Sequence, residues 1–335
     1  MNAQPLSVLI VGAGEFALAH ARGVLAMGDA VRIAAFVDPA QKAREDAASM
    51  YAERKLDNVP PFYNSIEEFL TANQGPADCA IVASPHSFHA PHAIACMRAG
   101  MDTLLEKPMV LNIAEARRVI RVRDATGRFL SVAFPGSYSP AVRKARELIA
   151  AGEIGRVMSI VLLTHQRWLE KNIGTWRMVP EISGNGFLFD TGSHAVNTML
   201  EIIESDISEL AALADNRGAP LNISSAIAGR FENGALFTIC TEGNTLDYAA
   251  RLTIYGTSGI LATGSWGGHL RITRPGQKEE AVPCDPNPNT FAEFLRARAG
   301  EIPNPCPAEI GLRFAKFMDM VQTSAAQGRV KRSRK

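Results

Sequence analysis

Apolar and polar positions form a repeating pattern over the first 134 residues, in which short apolar runs alternate with longer, helix-like segments. Short apolar runs are typical of buried strands, and recurrence every three to four positions predicts helices. The predicted strands are Ser7–Val11, Arg32–Val37, Cys79–Ala83, Thr103–Leu105 and Phe129–Phe134. The predicted helices are Ala17–Met27, Ser65–Ala72, Ala90–Ala99 and Ile113–Thr126. Because parallel strands need helical crossovers, residues 1–134 are predicted to form an α/β domain with a doubly wound parallel sheet.

Beyond Pro135 the pattern changes to longer apolar stretches, with tight turns between some of them. Asn233-Gly234 supplies the positive φ angles of a two-residue hairpin turn, and Gly256–Gly259 is a second predicted turn. Pro307–Val321 predicts a closing amphipathic helix with proline in its first turn. The predicted strands are Val157–His165, Ser224–Phe231, Leu236–Thr241 and Arg251–Tyr255. Residues 135–335 are therefore predicted to form a second, α+β domain whose strands pair mostly antiparallel.

Composition limits the classes of function. Of 335 residues, 47% are apolar and 21% are charged, which suits about two domains with cores of their own. Lys and Arg number 35 against 34 Asp and Glu, so charge gives no indication of nucleic-acid or membrane binding. The five cysteines are widely spaced without a Cys-x-x-Cys, and no apolar stretch approaches the ~18 residues that cross a bilayer. We expect a soluble cytoplasmic protein in which residues 331–335 form a solvated basic tail.

A glycine-rich stretch lies between the first predicted strand and the first predicted helix. Gly12–Ala17 reads Gly-Ala-Gly-Glu-Phe-Ala and matches the Gly-x-Gly-x-x-Gly/Ala fingerprint of Rossmann domains in the structural context that the fingerprint requires. Gly12 allows a tight turn, Gly14 allows close approach of a pyrophosphate, and the helix N-terminus favours its negative charge. Gly12, Gly14, Glu15 and Phe16 are therefore predicted to bind a dinucleotide.

Asp38 follows the second predicted strand, where a carboxylate accepts hydrogen bonds from an adenosine ribose and repels a 2′-phosphate. NAD is therefore predicted in preference to NADP. Lys42 and Arg44 could neutralise a phosphate, so NADP stays open as the less favoured alternative. The competing interpretation is that the glycines form an ordinary turn and that Asp38 caps a helix.

Two segments carry groups that suit proton transfer beside a nicotinamide. Glu106-Lys107-Pro108 follows a predicted strand, at the sheet end where doubly wound folds bind ligands. If the chain turns helical near Phe187, Asp190 and His194 project from one helix face. Histidine would take the proton of a hydroxyl, with Asp190 orienting it and Lys107 holding the reacting oxygen. Taken singly, these residues also suit a surface ion pair, a helix cap and a core histidine.

The ordered set of motifs resembles the Gfo/Idh/MocA family, which includes inositol dehydrogenases and glucose-fructose oxidoreductase. The resemblance runs from the Gly12 fingerprint through Glu106-Lys107-Pro108 and Asp190-x-x-x-His194 to Tyr255–Gly259 and Ala325–Arg329. It implies that Lys107, Asp190 and His194 are catalytic and that substrates are sugars, cyclitols or their derivatives. It further implies a large open C-terminal sheet that pairs subunits into homodimers or homotetramers.

Further binding residues are expected from the same resemblance and from side-chain chemistry. Cofactor contacts are expected from Ser84, Pro85, His86, His89, Glu106 and Lys107. Substrate contacts are expected from Lys107, Arg167, Trp176, Arg177, Asp190 and His194, because aromatic faces suit the C–H side of a sugar and arginine binds hydroxyls or a carboxylate. The chain departs from the family at Pro135–Ser139, where many relatives carry an Asn/Arg-rich stretch, at Gly184–Gly186 and at His86.

A metal site is not expected. His86, His89 and His92 are spaced three apart, which turns them away from one another on a short helix, and no matching carboxylate follows.

The favoured hypothesis is an NAD-dependent oxidoreductase that oxidises a secondary hydroxyl of a sugar or cyclitol, or reduces the ketone. The alternatives are internal redox cycling on tightly bound NAD, as in glycoside cleavage or sugar–sugar hydride exchange, and a non-catalytic NAD sensor.

Overall fold

The computed structural model describes residues 4–56, 58–73 and 75–333. In chain order the strands of this part are β1 Leu6–Val11, β2 Val31–Val37, β3 Phe62–Tyr63, β4 Cys79–Val82, β5 Asp102–Leu105, β6 Leu130–Val132, β7 Val157–His165, β8 Ile207–Asp215, β9 Ser224–Phe231, β10 Leu236–Glu242, β11 Ala249–Gly256, β12 Ile260–Thr263, β13 Leu270–Thr273, β14 Glu280–Ala281 and β15 Lys331–Arg332. The α-helices are α1 Glu15–Leu25, α2 Gln41–Glu53, α3 Ile66–Ala72, α4 His89–Arg98, α5 Ile113–Thr126, α6 Pro135–Tyr138, α7 Pro140–Ala150, α8 Trp168–Asn172, α9 Pro180–Ser183, α10 Gly186–Asp190, α11 Gly192–Ile203, α12 Thr290–Arg298 and α13 Ala308–Gln327. Short 3₁₀ turns lie at Gly28–Ala30, His86–Phe88 and Trp176–Met178.

The described N-terminal residues form a six-stranded, wholly parallel sheet in the order β3-β2-β1-β4-β5-β6. All residues of β4 and β5 are buried, as expected for a parallel sheet covered on both faces. Strand order reverses between β1 and β4, and doubly wound sheets bind ligands beside the carboxyl ends of strands at such a point. The predicted doubly wound α/β fold is confirmed.

Two elements between Asp38 and Asn64 were not predicted. Helix α2 buries only Ala47, Met50 and Tyr51 of its thirteen residues, so its apolar stripe is too thin to show a helical period. Strand β3 has two residues and pairs with the end of β2. Both elements depend on tertiary packing that the local pattern does not encode.

The described C-terminal residues form a nine-stranded sheet in the order β14-β13-β12-β11-β7-β10-β9-β8-β15. Its neighbours pair antiparallel except for β7 and β10, which run parallel at the centre of the sheet. The predicted mostly antiparallel sheet is therefore confirmed. Helices α7, α10 and α11 pack against this sheet, and residues alternate between a buried and an exposed face along β7 and β10.

The predicted two-residue hairpin at Asn233-Gly234 is wrong. Strand β9 ends at Phe231 and β10 begins at Leu236, so four residues connect them. Within this loop of the described chain, a positive φ occurs at Gly234 (+88°) but not at Asn233. The side chain of Asn233 accepts a hydrogen bond from the Ala235 amide (3.1 Å), and this local capping favours the longer turn.

The chain divides into two compact units, Met1–Ala133 with Asn289–Leu312, and Phe134–Pro288 with Arg313–Lys335. Residues 289–312 thus pack with the first unit, whereas the sequence analysis assigned all of 135–335 to the second domain. Phe291 and Phe294 of α12 lie in the core of the first unit beside α1. Arg298 Nε also contacts Asp102 Oδ2 at 2.7 Å. The chain pattern shows that α12 is apolar on one face but not which sheet it covers.

Residues 331–332 of the expected tail are solvent-accessible but are not an unpaired tail. Lys331 and Arg332 form an edge strand that pairs antiparallel with Leu210 and Glu209 of β8. Arg334 and Lys335 lie outside the described residues. Over the described part of the chain, no helix combines the length and the apolarity needed to cross a membrane.

Candidate functional site

The glycine loop of the first unit needs glycine at its first position. Gly12 has a φ of +101°, and a Cβ atom there would lie 2.7 Å from the carbonyl oxygen of Ala83. The Gly12 amide donates to the carbonyl of Val37 at 2.8 Å. The loop therefore passes between the ends of β2 and β4, and at position 12 it lies too close to the end of β4 for any larger residue.

Gly14, unlike Gly12, faces open space and has an ordinary backbone conformation. Its φ is −76°, and a Cβ atom placed there would have no neighbour within 4 Å. It immediately precedes α1, whose first amides have no partner within the helix. Ala17 is fully buried under this turn. Open space, helix amides and a favourable dipole fit a pyrophosphate at this position.

Asp38 connects the loop to the end of β2. Its Oδ2 accepts from the Ala13 amide and its Oδ1 from the Ala40 amide, both at 2.8 Å. Arg44 donates to the Asp38 carbonyl (2.8 Å) and to the side chain of Asn64 (2.6 Å), while Lys42 pairs with Asp46 on the exposed surface of α2. The Asp38 carboxylate thus holds the glycine loop, and both nearby cations have protein partners.

The segment after β4 contains three closely spaced histidines. His89 is buried, with Nδ1 2.8 Å from the Pro108 carbonyl and Nε2 2.8 Å from the Ser84 carbonyl. His92 Nδ1 lies 3.0 Å from Ser84 Oγ, and burial lowers the pKa of His92 to about 4. His86 is also buried, at the start of the 3₁₀ turn that follows Pro85. Among the described residues, no three His, Cys, Asp or Glu side chains are grouped so as to hold a metal ion.

Lys107 follows the carboxyl end of β5 and is 6% exposed, so its side chain is buried and does not lie on the surface. Its Nζ lies 5.7 Å from the ring centre of Phe16, in the first turn of α1. Glu106 immediately precedes Lys107, and its Oε1 atom lies 2.7 Å from His20 Nε2. Burial raises the pKa of Glu106, but the hydrogen bond and charge of His20 and the charge of Lys107 outweigh it and lower this pKa to about 2.

No motif in the sequence singles out His20, which is the partner of Glu106. The signal was available, because His20 lies three residues after Ala17 and four before Val24, both fully buried. A polar residue on the buried face of a helix needs a polar partner.

In the second unit, Asp190 is buried at the end of α10 and accepts two hydrogen bonds on Oδ2. Trp168 Nε1 donates at 2.9 Å and Arg177 Nε at 3.0 Å. The Arg177 guanidinium carbon lies 4.4 Å from the ring centre of Trp176. Three of the predicted substrate residues are thus brought together with Trp168. Arg167 pairs with Glu170 at the exposed start of α8 instead.

His194 lies in the first turn of α11. The predicted turn into helix near Phe187 is present, but it forms two helices: α10 ends at Asp190 and α11 begins at Gly192, with Thr191 in the αR region between them. The imidazole meets the rings of Phe134 (6.4 Å between centres) and Trp266 (5.7 Å) edge to face. Tyr248 stacks on Trp266 at 6.2 Å. This aromatic pair was not predicted, because both residues lie in loops without a motif.

Two family models match the chain. An oxidoreductase-family model for a GFO/IDH/MocA NAD-binding Rossmann fold matches residues 6–134, and the GFO/IDH/MocA C-terminal domain matches residues 142–262. The chain belongs to the Gfo/Idh/MocA family. It is therefore an oxidoreductase-family protein with an NAD(P)-binding Rossmann domain, and the family resemblance seen in the sequence is confirmed.

Family relatives are similar over most of the chain. Oxidoreductase P35 of Formosa agariphila is 26% identical over 251 residues, which cover 71% of this chain and 76% of that protein. D-xylose 1-dehydrogenase [NADP(+)] of Haloarcula marismortui is 25% identical over 267 residues, or 76% of this chain and 71% of that one. The crystal structure of an inositol dehydrogenase homolog complexed with NAD+ from Azotobacter vinelandii has a TM-score of 0.84 at 17% identity, covering 99% and 98%. This structural likeness shows the shared fold.

The contrast between the two loop glycines gives the first prediction. Gly12→Ala should lower the free energy of unfolding by roughly 1–3 kcal/mol, because alanine at a positive φ would also strike the Ala83 carbonyl. Gly14→Ala, in open space, should leave stability within about 0.5 kcal/mol of the wild type but weaken binding of NADH or NADPH. Urea unfolding and nucleotide fluorescence titration measure the two effects. Undiminished nucleotide binding by Gly14→Ala would rule out the pyrophosphate position.

Proposed function

We propose that the protein is an NAD-dependent dehydrogenase that oxidises a secondary hydroxyl of a sugar, cyclitol or sugar derivative, or reduces the corresponding ketone. The observation that carries this proposal is the proximity of the buried Lys107 ammonium to the glycine loop, 5.7 Å from the Phe16 ring. A cation beside a dinucleotide loop suits an oxygen that develops alkoxide character as its carbon loses hydride.

The choice of NAD rests on charge at the end of β2. The Asp38 carboxylate there disfavours a 2′-phosphate. Arg44 is engaged by the Asp38 carbonyl and by Asn64, and Lys42 by Asp46. Relatives differ in their nicotinamide cofactor: the Haloarcula marismortui enzyme is named for NADP(+), and the Azotobacter vinelandii structure contains NAD+.

In the oxidation that we propose, the carbinol C–H bond breaks with its electron pair while the hydroxyl proton leaves to a protein base. The bound nicotinamide supplies the hydride acceptor. His194 takes the proton, because imidazole is the side chain whose unperturbed pKa lies near neutrality. Lys107 holds the reacting oxygen by its positive charge. Asp190 fixes Arg177 and Trp168 through its two hydrogen bonds and supplies negative charge near the start of α11.

The substrate class follows from the side chains of the second unit. Arg177 stacks on Trp176 and has Asp190 as a counter-ion, so this cluster is close to electrically neutral. The departure at Pro135–Ser139 contributes no charged side chain, and Tyr138 within it is buried. Trp266 and Tyr248 offer aromatic faces to C–H groups. These features favour a neutral polyol over an acidic sugar.

A panel of sugars and cyclitols incubated with NAD tests the assignment. Lys107→Met and His194→Ala should each lower kcat/KM by about 10²–10⁴-fold on the substrate that forms NADH fastest, because both remove a group that acts on the reacting oxygen or its proton. Lys144→Met, on the exposed surface of α7 beside Glu147, is the matched control and should retain wild-type rates.

Other outcomes of this assay would contradict the proposal. Unchanged turnover in both variants would remove the mechanism. Product formation without net NADH, with cofactor that survives purification, would favour internal redox cycling. Binding of NAD without turnover across the whole panel would favour the sensor.

We also propose that the exposed face of the nine-stranded sheet pairs two copies of the chain. Val161 and Leu163 of β7 and Leu213 of β8 are 42%, 39% and 73% exposed on this face. They line a concavity of about 750 Å³ together with Ala226 and Cys240. A contiguous exposed apolar surface of this kind marks an interaction site, and a two-fold axis would bring the same patch of two copies together.

Solution mass tests the pairing. The wild type should sediment as a dimer or tetramer, and Leu163→Lys should shift it toward the 36.1 kDa monomer, because a buried lysine would oppose its own copy across a two-fold axis. Leu246→Lys changes an exposed leucine outside the strands and should leave the mass unchanged. A monomeric wild type would refute the proposal.

A further inference from the structure

His20 is one of the few polar side chains on the inner face of α1. Its Nε2 lies 2.7 Å from Glu106 Oε1, and each side chain is 12% exposed. Because a largely shielded hydrogen bond to a charged group is stronger than a surface ion pair, this contact fixes both partners. It joins the helix that follows the glycine loop to the segment that carries Lys107.

Glu106 transmits this contact to Lys107. Its second oxygen, Oε2, accepts a hydrogen bond from the Lys107 backbone amide at 2.9 Å. The orientation of that peptide decides where the Lys107 side chain starts. The Glu106 amide itself donates to the Val82 carbonyl at 2.8 Å and so belongs to the sheet.

Helix α1 contacts this segment at two points, one helical turn apart. His20 contacts Glu106, and Phe16, four residues earlier, lies beside Lys107 Nζ. Residues four apart share one helix face, so the two contacts act together. On the far side, His89 Nδ1 is 2.8 Å from the Pro108 carbonyl, which fixes the residue after Lys107.

We propose that His20 is a positioning residue for Lys107, acting through the carboxylate of Glu106. This inference rests on the proposed role of Lys107 in dehydrogenation. Without His20, Glu106 loses the hydrogen bond that directs Oε1 toward α1, and its carboxylate is able to rotate. The Lys107 peptide then loses its fixed acceptor, and the side chain that starts from it is displaced.

Hydrogen exchange tests the positioning without substrate or cofactor. In His20→Ala, exchange of the Lys107 amide should accelerate by about tenfold, the change expected for weakening one hydrogen bond to a charged group. The Glu106 amide, bonded to Val82, should exchange as in the wild type and serves as the internal reference. In His20→Gln, the amide nitrogen can still donate to Glu106 Oε1, and protection of Lys107 should return. Unchanged protection of Lys107 in His20→Ala would overturn the proposal.

Steady-state kinetics test whether displacement of Lys107 slows turnover. His20→Ala should lower kcat by roughly 10–100-fold, the loss that accompanies displacement of a reacting group by about 1 Å, with little change in KM or in NADH affinity. His20→Gln should recover most of kcat. Arg22→Ala, an exposed cation on the same helix, is the control and should behave as the wild type.

Lys107→Met separates the two hypotheses. If it is inactive while His20→Ala keeps the wild-type kcat, the positioning role is wrong and the function stands. If Lys107→Met keeps full activity, the function proposed for Lys107 fails, and the inference about His20 fails with it. Equal loss of kcat in His20→Ala and His20→Gln, with NADH binding lost in both, would indicate general damage to α1 and would also overturn the proposal.

Discussion

The loop between β1 and α1 passes so close to the end of β4 that a side chain at position 12 would collide with the Ala83 carbonyl. The nucleotide-binding unit depends on this approach. It fixes where α1 begins, and therefore the direction in which Phe16 and His20 project. Asp38 secures the same loop from the other side by accepting the Ala13 amide. The Lys107 segment is then held against α1 through Glu106, so one tight turn sets both the amides proposed to bind the pyrophosphate and the proposed reactive lysine.

Two largely buried carboxylates, Glu106 and Asp190, organise the polar groups of the two units. Glu106 joins an α1 histidine to the Lys107 backbone, and its pKa is lowered to about 2, so it remains ionised throughout the physiological range. Asp190 joins an indole and a guanidinium in the second unit. Buried charges are stable only when such partners satisfy them. Each carboxylate is thus expected to act through the groups it orients.

The sequence pattern predicted the elements that carry strong local signals. Helix α5 has the predicted bounds, because Asn112 caps its start and Gly127 adopts a left-handed conformation at its end. Strand β7 also has its predicted bounds, through the alternation of apolar residues such as Ile160 and Leu162. Motifs with fixed spacing, such as Gly12–Ala17 and Asp190–His194, identified the candidate site.

Elements and contacts that depend on distant packing were not predicted. These are helix α2, the assignment of α12 to the first unit, the parallel pairing of β7 with β10, and the aromatic contact of Trp266 with His194. No local period encodes which distant surface a segment will meet.

The proposed reaction moves hydride directly from a carbinol carbon to a nicotinamide bound by this chain. Its most direct measurement uses the best polyol substrate, prepared with deuterium on the carbon that is oxidised, in ordinary water with NAD. Direct transfer predicts that the label appears at C4 of the reduced nicotinamide, on one face of the ring. Appearance of the label in solvent, with unlabelled reduced cofactor, would contradict it.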